Sequence, residues 1–415
     1  MTHPDDETTA VEAQASPPPE EEAPRAPENG PWHHVLRSIT TGNAAVAVLS
    51  VLLAMIVGSI LIIATDEEVR TAAGYITARP GDFFSAAWEA ISGAYSALFR
   101  GSVYNSNGAD FQASIRPLTE TLKFAGPLIA AGLGVGLAFR AGLFNIGGRG
   151  QMLVAGAAAG WVGTELDLPF PLQLVVAVVA GMIGGALWAG VAGLLKARTG
   201  AHEVIVTIML NYVGFYLVFY ALSTQGLLQA PGSINPKSLP MDENATLPKL
   251  LGDRFNLHLG FLLALIAVAV VWWLLNRSAL GYRFRAVGEN PHAARTAGID
   301  VGRTYVVAML IAGGLVGLAA SNQVLGTTTS GVTVDLDAGI GFDAITVALL
   351  GRSNPVGILF AGILFGAFKA GGFSMQASEG IPVDIVLVIQ SLIVLFIAAP
   401  PLVRALFRLP VKEAK

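Results

Sequence analysis

One polar segment between two apolar stretches combines basic charge with strong signals for helix boundaries. It reads Gly281-Tyr-Arg-Phe-Arg-Ala-Val-Gly-Glu-Asn-Pro-His-Ala-Ala-Arg-Thr-Ala-Gly-Ile299. Asn290 is a favourable N-cap, Pro291 suits the first helical position, and Gly298 can end the helix in the left-handed conformation. We therefore predict a short, rigid helix from Pro291 to Ala297 that makes mechanical contact with another protein. An ordinary basic loop is the alternative.

Polar side chains are rare within the apolar stretches, so those present are candidates for contact with a small solute. The candidates for a translocation pathway are Asn145, Gln151, Asn211, Asn322, Gln323 and Asp343. Amides can hydrogen-bond a solute, but they can equally hydrogen-bond a neighbouring helix, and the sequence leaves both open. Asp343 and Glu203 each fall near a predicted helix N-terminus, where the helix dipole favours an anion.

An aromatic stripe follows one of these candidates at helical spacing. Its members are Tyr212, Phe215, Tyr216 and Phe219. The rings could stack on a flat solute, or they could face lipid or a neighbouring helix, and the sequence favours the second interpretation.

The sequence lacks the residues and motifs that several kinds of chemistry require. The chain has no cysteine and no HExxH pattern, so we predict no metal site, no cofactor and no catalytic residue. The phosphate-binding GxxxxGK[ST] loop is absent, so any ATP hydrolysis must occur on another chain. Few ionisable groups lie within the spans, which argues against an ion-coupled carrier. A gradient-driven carrier or channel remains an alternative, whereas a membrane-embedded enzyme has no supporting motif. We expect no nucleic-acid partner.

The elements that position these residues are membrane helices. The 415 residues are 53% hydrophobic and only 13% charged, whereas soluble domains have about 25% charged residues. We predict an all-α polytopic bundle of about ten transmembrane or half-membrane helices in the cell membrane. The apolar segments are Ala44–Thr65, Phe124–Phe139, Met152–Gly163, Leu172–Leu195, Glu203–Leu222, Gly260–Leu275, Tyr305–Leu325, Phe342–Leu350, Val356–Ala370 and Ile381–Pro400.

Several of these segments are too short to span a bilayer alone, since a spanning helix needs about 20 residues. Among them, Met152–Gly163, Phe342–Leu350 and Val356–Ala370 are predicted to belong to broken or re-entrant helices. Irregular backbone at membrane depth survives only beside protein or a wet cavity, so these breaks mark the predicted solute path. Glycines spaced along single spans, such as Gly181 with Gly185 and Gly313 with Gly317, predict close helix packing.

The distribution of basic residues predicts the orientation and the domain limits. With both termini inside, 15 of the 25 Lys and Arg residues lie in inner segments, as the positive-inside rule requires. We predict a disordered acidic, Pro-rich tail over 1–43, a transmembrane domain over 44–400 and a short basic tail over 401–415. Residues 277–303 then form a cytoplasmic loop.

The stretch 66–123 is predicted to be a long external loop that contains one amphipathic helix. Asp82 is its predicted N-cap, and large apolar residues recur from Phe84 to Leu98 at helical spacing. The helix could rest on the membrane or the bundle, or it could be a docking platform for an extracellular partner.

Gly281–Ile299 resembles the cytoplasmic coupling loop of the permease superfamily that imports ribose, nucleosides and branched-chain amino acids with ATP-binding-cassette (ABC) motors. Ala138-Phe-Arg-Ala-Gly-Leu-Phe-Asn-Ile-Gly-Gly-Arg-Gly-Gln-Met152 resembles the nucleoside branch of that superfamily. Further similar segments are Glu203–Tyr212, Ala344–Arg352 and Ile389–Pro400, and the resemblance covers about Leu118 to Phe407. At Gly148-Arg149 this sequence departs from the family pattern, which more often has Ala-Glu.

The resemblance implies a permease subunit that forms a pathway for nucleosides, or alternatively for a simple sugar such as ribose. It implies three kinds of protein partner: a cytoplasmic ABC ATPase, a second permease subunit in a heterodimer, and an external solute-binding lipoprotein. Membrane lipid surrounds such a subunit. The residues expected to couple it to the ATPase are Glu289, Asn290, Pro291 and Arg295.

Overall fold

The structure, a computed structural model, describes residues 43–407, and these residues form a helical bundle without a β-strand. The predicted acidic tail lies almost wholly outside the described residues, as do the last eight residues of the chain. The α-helices of the described part are α1 (Asn43–Thr65), α2 (Glu67–Ala73), α3 (Pro80–Ser102), α4 (Phe111–Arg140), α5 (Gly148–Glu165), α6 (Leu172–Thr199), α7 (Glu203–Leu222), α8 (Gly260–Arg277), α9 (Ala279–Glu289), α10 (Pro291–Thr296), α11 (Val301–Asn322), α12 (Ile340–Leu350), α13 (Pro355–Glu379), α14 (Val383–Ala398) and α15 (Pro400–Leu406).

Seven helices of the described part are long and apolar enough to cross a bilayer. They are α1, α4, α6, α7, α8, α11 and α13, while α12 and α14 are shorter apolar helices. The prediction of an all-α polytopic membrane protein is therefore confirmed. The prediction that Val356–Ala370 is too short to span is wrong, because α13 has 25 residues. Its apolar run is interrupted only by Lys369, whose amino group donates to the Ala338 carbonyl at 2.7 Å.

Two helices of the bundle are preceded by irregular backbone. Residues 141–147 separate α4 from α5, and residues 328–339 separate the end of the α11 region from α12. A π-helical turn, Gln323–Thr327, extends α11 before the second irregular segment. The linker between α12 and α13 reaches the far end of α4, where the Arg140 Nε donates to the Ser353 carbonyl at 3.1 Å.

The centre of the bundle is a close crossing of α6 and α11. An alanine methyl group at Gly313 would overlap the Gly185 carbonyl oxygen, and one at Gly317 would overlap that of Gly181. Small residues let helix backbones approach this closely in lipid, where no hydrophobic force holds helices together. The predicted close packing at these glycines is confirmed.

The stretch 66–123 contains the predicted amphipathic helix, α3, and also α2, which was not predicted. Arg79 is the N-cap residue of α3 and Pro80 lies at its first position, so Asp82 lies in the first turn and does not cap the helix. The Tyr95 hydroxyl donates to the Met55 carbonyl of α1 at 2.6 Å. The helix therefore packs on the bundle, although Phe84 and Trp88 on its other face are exposed.

Candidate functional site

The N-termini of α5 and α12 meet halfway across the bundle. A methyl group at Gly341 would overlap the Arg149 backbone nitrogen, so the two first turns lie in backbone contact. A hydrogen bond to α7 indicates the depth of this meeting point in the membrane, since the Gly150 N–H donates to the Asn211 Oδ1 at 2.8 Å. Asn211 lies near the middle of the 20-residue span α7. Two positive helix ends therefore converge near the centre of the bilayer.

Charged side chains surround this meeting point. The Arg149 Nε lies 3.5 Å from the Asp337 Oδ1, and the Arg149 side chain is 37% exposed against 7% for Asp337. Lys369 of α13 approaches from the other side, near both Asp337 and Asp343. The two acids offset both the converging helix dipoles and the two bases. Asp343 is the predicted pathway residue that lies in this cluster, and it is partly exposed.

Asn145 and Gln151 are buried behind the first turn of α5. The Asn145 Oδ1 accepts from the Gly147 backbone N–H at 2.9 Å and from the Gln151 Nε2 at 3.0 Å. The amides thus stabilise the irregular backbone that precedes α5, which would otherwise have unpaired polar groups at membrane depth. Their predicted contact with solute remains a prediction.

Asn211 provides α5 with a cap from a different helix. Gly147, the N-cap residue of α5, has no side chain, and the Asn211 Oδ1 accepts from the Gly150 N–H in its place. The Asn211 Nδ2 donates to the Ile146 carbonyl at 3.0 Å. One amide therefore satisfies a donor and an acceptor that no water in the bilayer core could reach.

Replacing Asn211 with leucine should destabilise the protein by about 2 kcal/mol, because two buried backbone groups lose their partners. Asn276→Ala is a matched control, since Asn276 is an exposed amide that donates to the Trp272 carbonyl of its own helix. Thermal unfolding of the purified protein in detergent should show a lower midpoint for Asn211→Leu only. Equal midpoints for both variants would contradict the capping role.

Asn322 and Gln323 lie at the end of α11, away from the charged cluster. The Asn322 amide fits between Gly126 and Gly260, is buried, and has no hydrogen-bond partner among the described residues. The Gln323 Nε2 lies 3.4 Å from the Thr328 Oγ1. The structure therefore does not bring all six predicted pathway residues together.

The aromatic stripe of α7 is divided between two environments. Phe215 is partly buried, and its ring centroid lies 5.5 Å from the Arg149 Cζ. Tyr212 and Tyr216 are 60% and 65% exposed, and Phe219 is 42% exposed. The stripe therefore adjoins the charged cluster along one edge.

The predicted short helix is present as α10. The Asn290 Oδ1 accepts from the backbone N–H groups of His292 and Ala293, both at 3.0 Å, and Gly298 has a left-handed φ of 81°. Pro291 occupies the first position, as predicted. Ala294 is buried, whereas Glu289 and Arg295 are exposed. Neither of those two charged side chains forms an ion pair with another described residue.

The preceding helix, α9, connects this exposed helix to the bundle. Phe284 and Val287 are fully buried, and a methyl group at Gly288 would overlap the Arg140 carbonyl oxygen and approach the Gly142 nitrogen to 3.0 Å. Gly142 itself has a φ of 74°. The α9–α10 unit therefore rests directly on the irregular backbone that leads into α5.

The sequence did not indicate three members of the charged cluster. Asp337 lies in a polar, Gly-rich run that reads as an external loop, Arg149 stands out only as a departure from a pattern, and Lys369 lies inside an apolar segment. The run Val334-Asp-Leu-Asp-Ala-Gly339, immediately before Asp343, is the signal that could have placed acids at a helix N-terminus.

Comparison with known proteins gives several matches. Residues 118–398 match the family described as "Branched-chain amino acid transport system / permease component". The guanosine ABC transporter permease protein NupP of Bacillus subtilis is 36% identical over 360 residues, which cover 86% of this chain and 95% of that protein. The nucleoside ABC transporter permease protein NupB of Lactococcus lactis is 35% identical over 300 residues, 69% of this chain and 80% of that protein.

A glucose ABC transporter permease protein of Haloferax volcanii, TsgB13, is 35% identical over 289 residues, 68% of this chain and 75% of that protein. No solved structure matches the chain.

Proposed function

Because the chain belongs to the family of branched-chain amino acid transport system permease components, we propose that it is the membrane subunit of an ATP-driven nucleoside importer. The observation that supports this most directly is α10, a capped helix whose charged side chains are exposed. Helix α10 is exposed to a partner, and α9 packs it against the irregular backbone before α5. It is therefore suited to transmit a displacement from another protein to that backbone.

The proposed solute is a nucleoside. The relatives NupP and NupB are named for guanosine and for nucleosides, and both share more than a third of their aligned residues with this chain. A simple sugar is the second candidate, because TsgB13 is named for glucose at a similar identity. Competition of labelled uridine uptake by adenosine and by ribose separates the two, since a nucleoside importer is inhibited by adenosine alone.

The proposed coupling site consists of Glu289, Asn290, Pro291 and Arg295. Asn290 and Pro291 begin α10 and fix its direction, while Glu289 and Arg295 offer exposed charges of opposite sign to an ATPase surface. A displacement of α9–α10 would act on Gly142 through Gly288 and so on the backbone before α5. This chain of contacts is the physical route by which the motion would reach the backbone before α5.

The proposed partners are a cytoplasmic ABC ATPase, a second permease chain and an external solute-binding lipoprotein. A second permease is supported by the exposed tyrosines of α7. Tyr212 and Tyr216 are 60% and 65% exposed and lie within a membrane span, where lipid offers no hydrogen-bond partner for a hydroxyl. A neighbouring subunit or a wet pathway would supply such partners.

Inhibitors distinguish ATP hydrolysis, the proposed energy source, from an ion gradient. Uptake by the assembled complex should be abolished by vanadate, which blocks ABC ATPases, and should persist with an ionophore when ATP is held constant. Loss of uptake with the ionophore alone would favour a gradient-driven carrier instead.

A further inference from the structure

The surface around the meeting point of α5 and α12 exposes charge halfway across the membrane. We define it as the charged wall: Arg149, Asp335, Asp337, Phe342 and Asp343. Asp335 and Phe342 are exposed, Arg149 and Asp343 are partly exposed, and Asp337 is buried beside Arg149 with 7% of its side chain exposed. A charged side chain at the bilayer centre costs about 3 kcal/mol even by the lower scales, so this surface cannot face lipid. It therefore faces the proposed second permease chain or the water between the two chains, where the pathway would run.

Arg149 is placed where its charge is not favoured by the helix that contains it. It lies in the first turn of α5, where the helix dipole disfavours a cation. Its contact with Asp337 is long, at 3.5 Å, and its buried Nε makes no hydrogen bond to a described residue. A guanidinium has five N–H donors, four of them on the two terminal nitrogens, and none of the five is hydrogen-bonded within the described part of the chain. The terminal donors of Arg149 thus remain available on the charged wall.

Asp337 places an acceptor beside these donors. It precedes a tight turn in which Ala338 has a φ of 46° and Gly339 a φ of 81°, and the Lys369 amino group holds this turn through the Ala338 carbonyl. A non-glycine residue with a left-handed backbone is uncommon and is retained where the surroundings enforce it. The position of the Asp337 carboxylate is therefore fixed from both α5 and α13.

An aromatic ring adjoins the donor and acceptor. Phe215 lies against the Arg149 guanidinium, with Tyr212 and Tyr216 exposed beside it on α7. The combination matches a solute that has a flat ring and adjacent hydroxyl groups, because hydroxyls both donate to a carboxylate and accept from a guanidinium.

We infer that the charged wall hydrogen-bonds the ribose diol of a nucleoside in transit, with Asp337 accepting from a hydroxyl and Arg149 donating to one. Arg149 and Asp337 thereby become solute-contacting residues of the pathway. This assignment rests on the proposed function and adds the residues that touch the solute.

The test is ATP-driven uptake by the complete complex in proteoliposomes, with the binding protein saturated so that kcat reports the membrane step. The solutes are uridine and 2′,3′-dideoxyuridine, which lacks the diol. Asp337→Asn and Arg149→Gln should each lower kcat for uridine about tenfold, the effect of losing one hydrogen bond to a charged group, and should leave KM unchanged. Both variants should transport the two solutes at similar rates, whereas the wild type should favour uridine.

Arg100→Gln is the matched control, because Arg100 forms a 4.0 Å ion pair with Glu379 at a partly exposed site away from the wall. It should behave as the wild type. The charge exchange Arg149→Asp with Asp337→Arg should not restore kcat, since donor and acceptor trade places relative to the solute. Full restoration by the exchange would show a purely structural ion pair and overturn the inference.

Two other results distinguish the inference from the function on which it rests. If the wild-type complex transports uridine and both single variants retain its kcat and its preference, the inference alone fails. If the wild-type complex transports no nucleoside with ATP, the proposed solute fails and this site with it.

Discussion

Replacing Gly313 with alanine is expected to destabilise the permease by about 3 kcal/mol, because the methyl group has no space at the α6–α11 crossing. It would overlap the Gly185 carbonyl oxygen and the Ala189 methyl group. Overpacking of a closely packed core typically costs 1–3 kcal/mol, and here one of the obstructing atoms belongs to the backbone, which cannot rotate away. The measurement is the thermal unfolding midpoint of the purified protein, together with its yield in the membrane.

Gly314→Ala provides a control one residue along the same helix. A methyl group there would meet its nearest neighbour, the Met182 carbonyl oxygen, at 3.7 Å, which is an ordinary contact. Both variants make the same gain in helix propensity, so the difference between them isolates the crossing. If Gly313→Ala unfolded at the same temperature as Gly314→Ala, that result would contradict the close packing of α6 on α11 at Gly313.

Reversing the charge of Arg295 (Arg295→Glu) or removing that of Glu289 (Glu289→Ala) is expected to lower solute-stimulated ATPase activity by about tenfold or more. Both side chains are exposed on or next to α10 and are free of ion pairs within the described residues, so their partners should lie on the ATPase. Truncating one partner of a charge pair that is buried at an interface commonly costs about 2–5 kcal/mol, because the other charge is left unpaired. The affinity of the external binding protein for its solute should not change, because that protein binds on the other side of the membrane.

Arg198→Ala is a suitable control for these variants. Arg198 is an exposed base in the last turn of α6, at another predicted cytoplasmic position. It should retain stimulated activity, and unfolding midpoints should show that Glu289→Ala and Arg295→Glu remain folded. Normal transport by both of those variants would remove α10 from the mechanism.

Local signals in the sequence predicted α10 well. Its boundaries depend on residues that act within the segment itself, since Asn290 caps the N-terminus and Gly298 adopts the left-handed conformation after the C-terminus. Close packing at Gly185 and Gly313 was equally predictable, because these residues permit it through their own lack of a side chain, but the sequence did not show that α6 would pack on α11.

Charges that are paired inside a helix were not predictable as parts of a span. Helix α4 begins at Phe111, after its N-cap residue Asp110, rather than near Phe124. Glu120 and Lys123 of this helix form an ion pair, and Glu120 also accepts from the Asn256 Nδ2 at 2.6 Å. A hydropathy pattern treats such charges as the end of a span.

The candidate site shows the same division between local and distant causes. Asn145, Gln151 and Asn211 were predicted as pathway residues. In the structure, Asn145 and Asn211 hydrogen-bond the backbone of the break before α5, and Gln151 hydrogen-bonds the Asn145 side chain. The charged wall depends on α5 and α12 meeting across almost 200 residues of chain, which no local pattern reveals. Arg149 and Asp337 acquire their importance only from that contact.

The most direct test of the account is reconstitution of the purified permeases in liposomes, with and without the ATPase subunit, and with the binding protein and labelled nucleoside on the external side. We expect accumulation of the nucleoside only when the ATPase and ATP are both present. Movement of the nucleoside into liposomes that contain the permeases alone, at a similar rate, would contradict the assignment to an ATP-driven importer.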